Sequence, residues 1–232
     1  MTTTGNIQPP AMKDDSCNPQ AEGDPGRITD IVTETSGTVR RSAIYVNRRL
    51  AIYALPKDVA GLAVGERIPD DQLEKLQMRY ERAAYLQAIR FLGTRDRSIR
   101  EVQQHLQKRG WDQSACDRSL ERLKQEGLLD DQALAERWVA YRGRTSPRSR
   151  RVMTQELQRR GIARDIILTT VASMDEKTLA LACAQKKRRQ WRRYQAGDDR
   201  LKHVMAFLQR KGFPYAICRE TAHKLAEQGQ DD

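Results

Sequence analysis

The sequence predicts a mainly α-helical protein: a tandem array of three three-helix repeats, similar to helix-turn-helix units, behind a small β-containing N-terminal region. The main observation is a six-residue motif of Leu, Gln, two cations, Gly and a large apolar residue. It begins at Leu106, Leu157 and Leu208, at two equal steps of 51 residues. Such constant spacing indicates a repeat architecture. The second observation is a β-prone stretch between residues 28 and 54, which precedes the first copy.

Each copy of the motif has the chemistry of a helix C-terminus. The leucine completes an apolar stripe, and the two cations fall in the last turn, where they meet the negative end of the helix dipole. Gly110, Gly161 and Gly212 stand where a left-handed capping residue is required. We therefore expect these glycines to serve the backbone and not a ligand. Capping requires only one of the two cations in each copy.

Two segments of different composition precede the repeats. Residues 1–26 are polar, partly acidic and rich in Pro and Gly, so we interpret them as a disordered tail without a signal-peptide layout. Three β-prone runs follow, separated by Ser36-Gly37 and Asn47-Arg48, which predicts three short strands joined by tight turns. Because a three-stranded sheet is marginal alone, we expect it to pack on the next helix.

Helical periodicity begins at Asp70 or Asp71 and continues into the first repeat, as one long helix or as two with a slight break. In repeat one, Ser98 and Glu101 have the spacing of a capping box at the second helix. Asp112 is the expected N-cap of the third helix.

In repeat two, Trp138 and Tyr141 of the first helix are predicted to face inward. The second helix is predicted to begin at Ser146-Pro147, with proline at the first helical position. Arg150 stands where repeats one and three have an apolar residue, so we expect that edge to be exposed.

Repeat three is predicted to open with one long helix from about Lys177 to Tyr194, broken by Gly197. The predicted domain boundaries are a disordered tail at 1–26, a small β-rich region at 27–69, a linking helix with repeat one at 70–131, repeat two at 132–175 and repeat three at 176–228.

The composition indicates a polyanionic partner. The 232 residues include 42 Lys and Arg against 31 Asp and Glu, a formal net charge of +11. This excess favours nucleic acid, an acidic protein surface or a membrane surface. No apolar run approaches the ~18 residues of a membrane span, so we expect no membrane partner. The four cysteines, Cys17, Cys116, Cys183 and Cys218, lack CxxC pairing and favour free thiols in a reducing cytoplasm.

The sequence offers no catalytic or metal-binding constellation. It lacks a GxxxxGK[ST] loop, an HExxH motif and paired CxxC motifs. His105, His203 and His223 are isolated, and we interpret them as surface or edge residues. We therefore predict a protein that is not an enzyme and that holds no cofactor and no metal.

The basic residues carry the functional signal. Five arginines surround the start of the second helix in repeat two, where positive charge opposes the helix dipole. Six cations between Lys186 and Arg193 cover most of the circumference of one predicted helix, with Trp191 and Tyr194 among them. One interpretation is a solvated helix with a core tryptophan. The other is a surface that binds phosphate or carboxylate groups.

We call these two clusters, together with the cation pairs of the three motif copies, the candidate cations, and we predict that they contact a partner protein or DNA. They are Lys108, Arg109, Arg142, Arg144, Arg148, Arg150, Arg151, Arg159, Arg160, Lys186, Lys187, Arg188, Arg189, Arg192, Arg193, Arg210 and Lys211.

The chain resembles the RecX family, bacterial regulators of the RecA recombinase. The resemblance covers roughly residues 78–227, and its most specific part is the run of Leu, three variable residues, Gly, two Leu and two Asp that begins at Leu123. Many relatives have a glycine in the loop that corresponds to residues 145–148, and this chain lacks it. The matching segments are Tyr85 to Leu92, Ser98 to Gly110, Leu120 to Asp131, Ala135 to Trp138, Leu157 to Gly161 and Leu208 to Phe213.

The resemblance implies a non-enzymatic cytoplasmic monomer that binds the RecA–DNA filament and restrains its ATP hydrolysis, strand exchange and coprotease activity. It thereby implies a role in recombination, DNA repair and the SOS response. The alternative is a helical-repeat protein that binds single- or double-stranded DNA, or RNA, without the recombinase. A sequence-specific reader needs base-contacting residues on a shared recognition helix. The third helices here differ from one another at Asp117-Arg118, Thr169-Thr170 and Arg219-Glu220.

Overall fold

The computed structural model describes residues 26–195 and 197–227. The predicted tail, apart from Gly26, and Cys17 therefore lie outside the described residues. The described chain forms two compact units, residues 26–34 with 41–77 and residues 35–40 with 78–227. No helix in these ranges is long and apolar enough to cross a membrane.

The first unit is built on the three predicted strands, which pair in the order β1 (Ile28–Ser36), β2 (Val39–Val46) and β3 (Arg49–Ala54). Val46 pairs with Arg49 in an antiparallel register, so the loop between them has two residues. Both loop residues are left-handed, Asn47 with φ 52° and Arg48 with φ 61°. Such a turn matches the right-handed twist of the strands that it joins.

The core of this unit contains Ile28 and Ile44 from the sheet and Leu76 from the following helix. The expectation that the sheet packs on the next helix is therefore confirmed. A 3-10 turn at Pro56–Asp58 follows β3.

Ten helices follow in the described part of the chain. They are α1 (Asp70–Leu92), α2 (Ile99–Arg109), α3 (Gln113–Gln125), α4 (Asp131–Thr145), α5 (Arg150–Arg159), α6 (Arg164–Ala172), α7 (Glu176–Gln185), α8 (Arg188–Trp191), α9 (Asp198–Arg210) and α10 (Tyr215–Glu227). The predicted architecture of three tandem three-helix repeats with a small β-containing region is confirmed, and α1 is one continuous helix.

The second helices of the three repeats bury the same two positions. These are Val102 and Leu106 in α2, Met153 and Leu157 in α5, and Val204 and Leu208 in α9, all at most 1 % exposed. Burying a large apolar side chain contributes roughly 1.5–3 kcal/mol, so these stripes supply much of the stability of each repeat.

The predicted caps of repeat one are also confirmed. The Ser98 hydroxyl accepts the N–H of Glu101, and the Glu101 carboxylate accepts the N–H of Ser98 at 2.8 Å. Asp112 accepts the N–H of Ala115 at the start of α3. The capping box thereby supplies acceptors for two of the N–H groups that have no partner within the helix at the N-terminus of α2.

The three motif glycines are left-handed, as the sequence predicts: φ is 102° at Gly110, 80° at Gly161 and 90° at Gly212. They also lie in close contact with other segments of the same polypeptide. A Cβ on Gly110 would stand 1.6 Å from the carbonyl oxygen of Ser36, and one on Gly161 would stand 2.2 Å from the side chain of Arg100. The glycines therefore meet two requirements, a left-handed backbone and close approach.

The residue before each glycine carries a carbonyl that accepts a hydrogen bond from preceding chain. The hydroxyl of Ser98 donates to Arg160 at 2.5 Å, and the backbone N–H of Ser149 donates to Lys211 at 3.4 Å. In repeat one the donor is the N–H of Thr38, in the turn between β1 and β2, which donates to Arg109 at 2.8 Å. The accepting carbonyl thus recurs three times at the 51-residue spacing, whereas the donor group differs from one repeat to the next.

The start of the second helix in repeat two differs from the prediction. α5 begins at Arg150 and its N-cap is Ser149, whose side chain accepts the N–H of Val152 at 3.3 Å. The predicted cap at Ser146, with Pro147 as first helical residue, is wrong. Ser149 stands 51 residues after Ser98, so it inherits the capping position of the repeat.

The long helix predicted for repeat three is also wrong, because it breaks after Gln185. Trp191 is only 4 % exposed, and its Nε1 donates to the carbonyl of Ala184 at 2.8 Å. This contact turns the chain back on the end of α7. The break also reduces the repulsion between like charges, such as Arg188 and Arg192, which would be neighbours four residues apart on a continuous helix.

Tyr141 does not face inward as predicted, since its side chain is 51 % exposed. The buried face of α4 runs through Leu134 and Ala135 and then past Trp138. The next residue on that face is Arg142, and Tyr141 falls beside it.

Candidate anionic-partner interface

Arg142, Arg160 and Arg150, among the candidate cations, hold partners inside the fold. Arg142 pairs with Glu156 at 2.9 Å, and Arg160 pairs with Glu101 at 3.0 Å and also donates to the carbonyl of Asp96. Both guanidinium groups lie over the ring of Trp138, at 4.7 Å and 5.1 Å. Such half-buried pairs join elements of the fold in addition to any role at the surface.

Arg150, the third of these, has a structural contact that the sequence did not reveal. Its guanidinium donates to the carbonyl of Ala172 at 3.1 Å and to that of Met174, at the C-terminal end of α6. Its backbone N–H donates to Glu176 at 2.8 Å. Arg150 is exposed, as expected for that edge, yet its charge meets the negative end of another helix.

Three other cations form what we call the junction cluster, between repeats two and three: Arg148, Lys187 and Lys211. Among the described residues, none of them has a carboxylate partner. The Nε atom of Arg148 is buried and lacks a hydrogen-bond partner. Burial lowers the pKa of Lys211, and the charges of Arg148 and Lys187 lower it further. Positive charges are therefore held together here without compensation.

Buried polar geometry fixes this junction. The carbonyl of Lys211 accepts from Ser149, the residue after Arg148. The thiol of Cys183 in α7 donates to the carbonyl of Pro147, the residue before Arg148, at 3.8 Å. Burial raises the pKa of the Cys183 thiol, so it stays neutral beside these cations. Two elements thus hold the backbone on either side of Arg148.

The cations around α8 line an open cleft of about 590 Å³. Its lining includes Lys186, Lys187, Arg188, Arg189, Arg192 and Arg193. Trp191 is not part of this surface, because it lies in the core of repeat three. Tyr194 is half-buried and stacks on His203 with ring centroids 3.8 Å apart. Of the two interpretations of this segment, the buried tryptophan is therefore confirmed, while the anion-binding surface stays a prediction.

The remaining candidate cations are exposed and scattered. Lys186 donates to the carbonyl of Arg144, whose own side chain is exposed. Five other exposed members lie at the ends of helices: Lys108, Arg109, Arg151, Arg159 and Arg210. The junction cluster and the α8 cleft share Lys187, whereas the cleft lining includes none of these five.

Cys116, Cys183 and Cys218 are free and buried, in agreement with the free thiols predicted. Burial raises the pKa of Cys116 to about 12, and nearby Asp112 adds to the effect. These thiols are therefore unreactive core residues. Within the described ranges, no group of three or more His, Cys, Asp and Glu side chains is placed to hold a metal ion.

The fold defines a helical-repeat protein of tandem three-helix modules. The models of the first, second and third three-helix domains of RecX match residues 84–123, 130–170 and 175–227. The chain therefore belongs to the RecX family.

Curated relatives agree with this family. The chain is 35 % identical over 147 residues to a protein of Chlorobium phaeobacteroides named regulatory protein RecX, covering 62 % of this chain and 95 % of the relative. It is 33 % identical over 159 residues to the protein of that name in Geobacillus kaustophilus, covering 67 % of this chain and 59 % of the relative.

Solved structures share the fold. A crystal structure of regulatory protein RecX aligns with a TM-score of 0.53 at 21 % identity, over 82 % of this chain and 96 % of that one. The structure of RecX from Lactobacillus salivarius aligns with a TM-score of 0.56 at 19 % identity, over 64 % of this chain and 97 % of that one.

Proposed function

We propose that the chain, as a cytoplasmic monomer, binds the RecA–DNA filament and mostly inhibits ATP hydrolysis, strand exchange and coprotease activity of the recombinase. It would thereby act in homologous recombination, DNA repair and the SOS response. Membership of a family whose curated relatives are named regulatory proteins supports this proposal. We propose the candidate cations as the surface that meets the filament, with no catalytic step on this chain.

The observation that carries the proposal is the junction cluster. Holding Arg148, Lys187 and Lys211 together without carboxylates opposes folding, because like charges repel and the buried part is poorly solvated. Perturbed and uncompensated groups of this kind concentrate at functional sites. Phosphates of the filament DNA, or carboxylates on the recombinase, would supply the missing negative charge.

The alternative, a direct reader of bases in the manner of helix-turn-helix proteins, has less support from the third helices. Arg118 in α3 pairs with Glu81 at 3.0 Å, and Glu220 in α10 pairs with Lys177 at 2.9 Å. In α6 the hydroxyl of Thr170 donates to the carbonyl of Ile166 at 2.7 Å. The three equivalent positions are thus occupied by contacts within the fold and present no common set of groups to base edges.

The test is a titration of the protein into RecA on single-stranded DNA, with ATP hydrolysis as the readout. The junction variant replaces Arg148, Lys187 and Lys211 by Gln. The matched control replaces three exposed lysines elsewhere, Lys57, Lys124 and Lys202, by Gln and so removes the same charge. We expect the wild type and the control to inhibit hydrolysis at similar concentrations, and the junction variant to require much more protein.

Two results would overturn the proposal. The first is no change in ATP hydrolysis at any concentration of the wild-type protein. The second is inhibition that disappears in proportion to added competitor duplex DNA, because the protein would then act by binding DNA alone.

A further inference from the structure

The exposed face of α4 carries a stripe of basic and aromatic side chains. Arg137, Tyr141 and Arg144 are spaced at i, i+4 and i+7, so they lie on one side of the helix. All three are exposed, and Tyr141 leaves 51 % of its side chain accessible. We call these three residues the α4 stripe.

The stripe lines an open cleft of about 400 Å³ between the repeat-one and repeat-two elements of the helical unit. Its other lining residues include Arg95, Asp96, Leu134, Trp138 and Arg160. The Trp138 ring lies 6.2 Å from that of Tyr141 between centroids, at 37°. The Nε1 atom of Trp138 donates to Glu156 at 2.9 Å, which fixes the indole at the back of the cleft.

The packing direction of α4 leaves Tyr141 exposed, and the fold makes little use of its ring. Among the described residues its hydroxyl has no hydrogen-bond partner, and its only ring contact is with Trp138. A large ring left half in water gains only part of the stabilisation that full burial would contribute. The ring is therefore available to a flat ligand.

The cleft is also positive. Four arginines line it against one carboxylate, Asp96, which pairs with Arg137 at 3.0 Å. Arg95 and Arg160 each pair at 3.0 Å with Glu101, which is not part of the lining. Arg144 has no side-chain partner among the described residues. An aromatic face with an unpaired guanidinium one helical turn away matches a nucleobase and its phosphate.

We propose that this cleft is a binding site for single-stranded nucleic acid, with Tyr141 stacking on a base and Arg144 contacting a phosphate. Single strands are favoured over duplexes because only an unpaired base exposes its face to a side chain. They are favoured over an acidic peptide because carboxylates would engage the arginines and leave the ring unused. Arg144 is also one of the candidate cations, but the site requires no recombinase, so the proposal goes beyond the proposed function.

The experiment measures equilibrium binding of the full chain to two fluorescent oligonucleotides of equal length by anisotropy. One is oligo(dT), and the other is abasic, with the same phosphates and no bases. The variants are Tyr141→Ala, Tyr141→Phe, Arg144→Gln and, as a matched control, Tyr215→Ala. Tyr215 is 60 % exposed on α10, away from the cleft lining.

We expect Tyr141→Ala to weaken oligo(dT) binding by about five- to a hundredfold, the range found for loss of one stacking side chain. Abasic binding should hardly change, and Tyr141→Phe and Tyr215→Ala should bind like the wild type. Arg144→Gln should weaken both oligonucleotides and flatten the slope of log K against log salt by about 0.7.

The proposal is overturned if folded Tyr141→Ala binds oligo(dT) within twofold of the wild type. It is also overturned if Tyr141→Ala weakens both oligonucleotides equally. No recombinase is present in the anisotropy measurement, so its outcome is separate from that of the ATP hydrolysis test.

Discussion

The hydroxyl group of Ser98 donates a 2.5 Å hydrogen bond to the carbonyl oxygen of Arg160, 62 residues further along the chain. The same hydroxyl accepts the N–H of Glu101 as the cap of α2. Ser98 therefore caps the start of α2 and joins repeat one to the glycine turn of repeat two. Its burial, at 0 % exposure, leaves no water to replace either bond.

Replacing Ser98 by Ala should therefore cost more than the loss of an ordinary cap. We expect the free energy of unfolding to fall by about 2 kcal/mol, because both the cap and the carbonyl of Arg160 lose a partner. Asp112→Ala is the matched control, since Asp112 caps α3 without joining two repeats, and it should cost about 1 kcal/mol. Urea unfolding of the two variants measures the difference, and equal losses would contradict the joining role.

A comparison of Gly110 with Gly127 separates the cost of a left-handed backbone from the cost of close packing. Both have positive φ, 102° and 68°, but a Cβ on Gly127 would meet nothing within 4 Å, whereas one on Gly110 would strike Ser36. Gly127→Ala should cost about 1 kcal/mol from backbone strain alone. Gly110→Ala should cost at least about 2 kcal/mol more, as strain and overpacking combine. Thermal melts that fall equally would show that no close approach exists at Gly110.

The carboxylate of Glu101 makes stability depend on pH. Burial alone would raise its pKa, but the hydrogen bonds from Ser98 and Arg160 outweigh burial and hold the pKa below its usual value. A lowered pKa contributes stability above the unfolded value, about 4.3, and that stability is lost as pH falls through the folded pKa. Glu101→Gln should lower the melting temperature at pH 7, and its difference from the wild type should shrink below about pH 4.

The control for this pH series is Glu74→Gln, which removes an exposed carboxylate of α1. Its difference from the wild type should be small and nearly constant with pH. A Glu101→Gln difference that does not shrink on acidification would contradict the assigned pKa direction.

The junction variant, with Arg148, Lys187 and Lys211 replaced by Gln, should also alter the salt dependence of filament binding. Each cation that contacts a phosphate of single-stranded DNA contributes about 0.7 to the slope of log K against log salt. We expect binding to weaken about tenfold or more near 0.1 M salt, and the slope to fall by about two units. The Lys57, Lys124 and Lys202 control should keep the wild-type slope. Anisotropy with labelled filaments at four salt concentrations measures both quantities, and parallel slopes would count against a phosphate contact.

The sequence predicted the repeat framework because each repeat is determined by local chemistry. Apolar residues at helical spacing, the capping box at Ser98 and the glycine of each motif act within a few residues of chain. What it missed depends on side-chain contacts that no helical periodicity or capping motif specifies. Arg150 binds carbonyl groups more than 20 residues away, and Trp191 breaks a helix to bond Ala184.

For the candidate interface, the sequence predicted the kind of partner from the basic composition, but not which of the cations are free to contact it. Clustered cations suggested an anionic partner, but Arg142 and Arg160 turn out to hold carboxylates of other helices, Glu156 and Glu101. Tyr141 was placed in the core because its spacing from Leu134 suits a helical stripe. Its exposure follows from the direction in which α4 packs, which no local pattern specifies.

The thrice-repeated acceptor carbonyl ties each repeat to chain that precedes it. The donors to Arg109, Arg160 and Lys211 are Thr38, Ser98 and Ser149, and each donor stands earlier in the sequence than its acceptor. During synthesis from the N-terminus, each glycine turn therefore emerges after the group that will bond it, so the repeats can dock in order as they leave the ribosome.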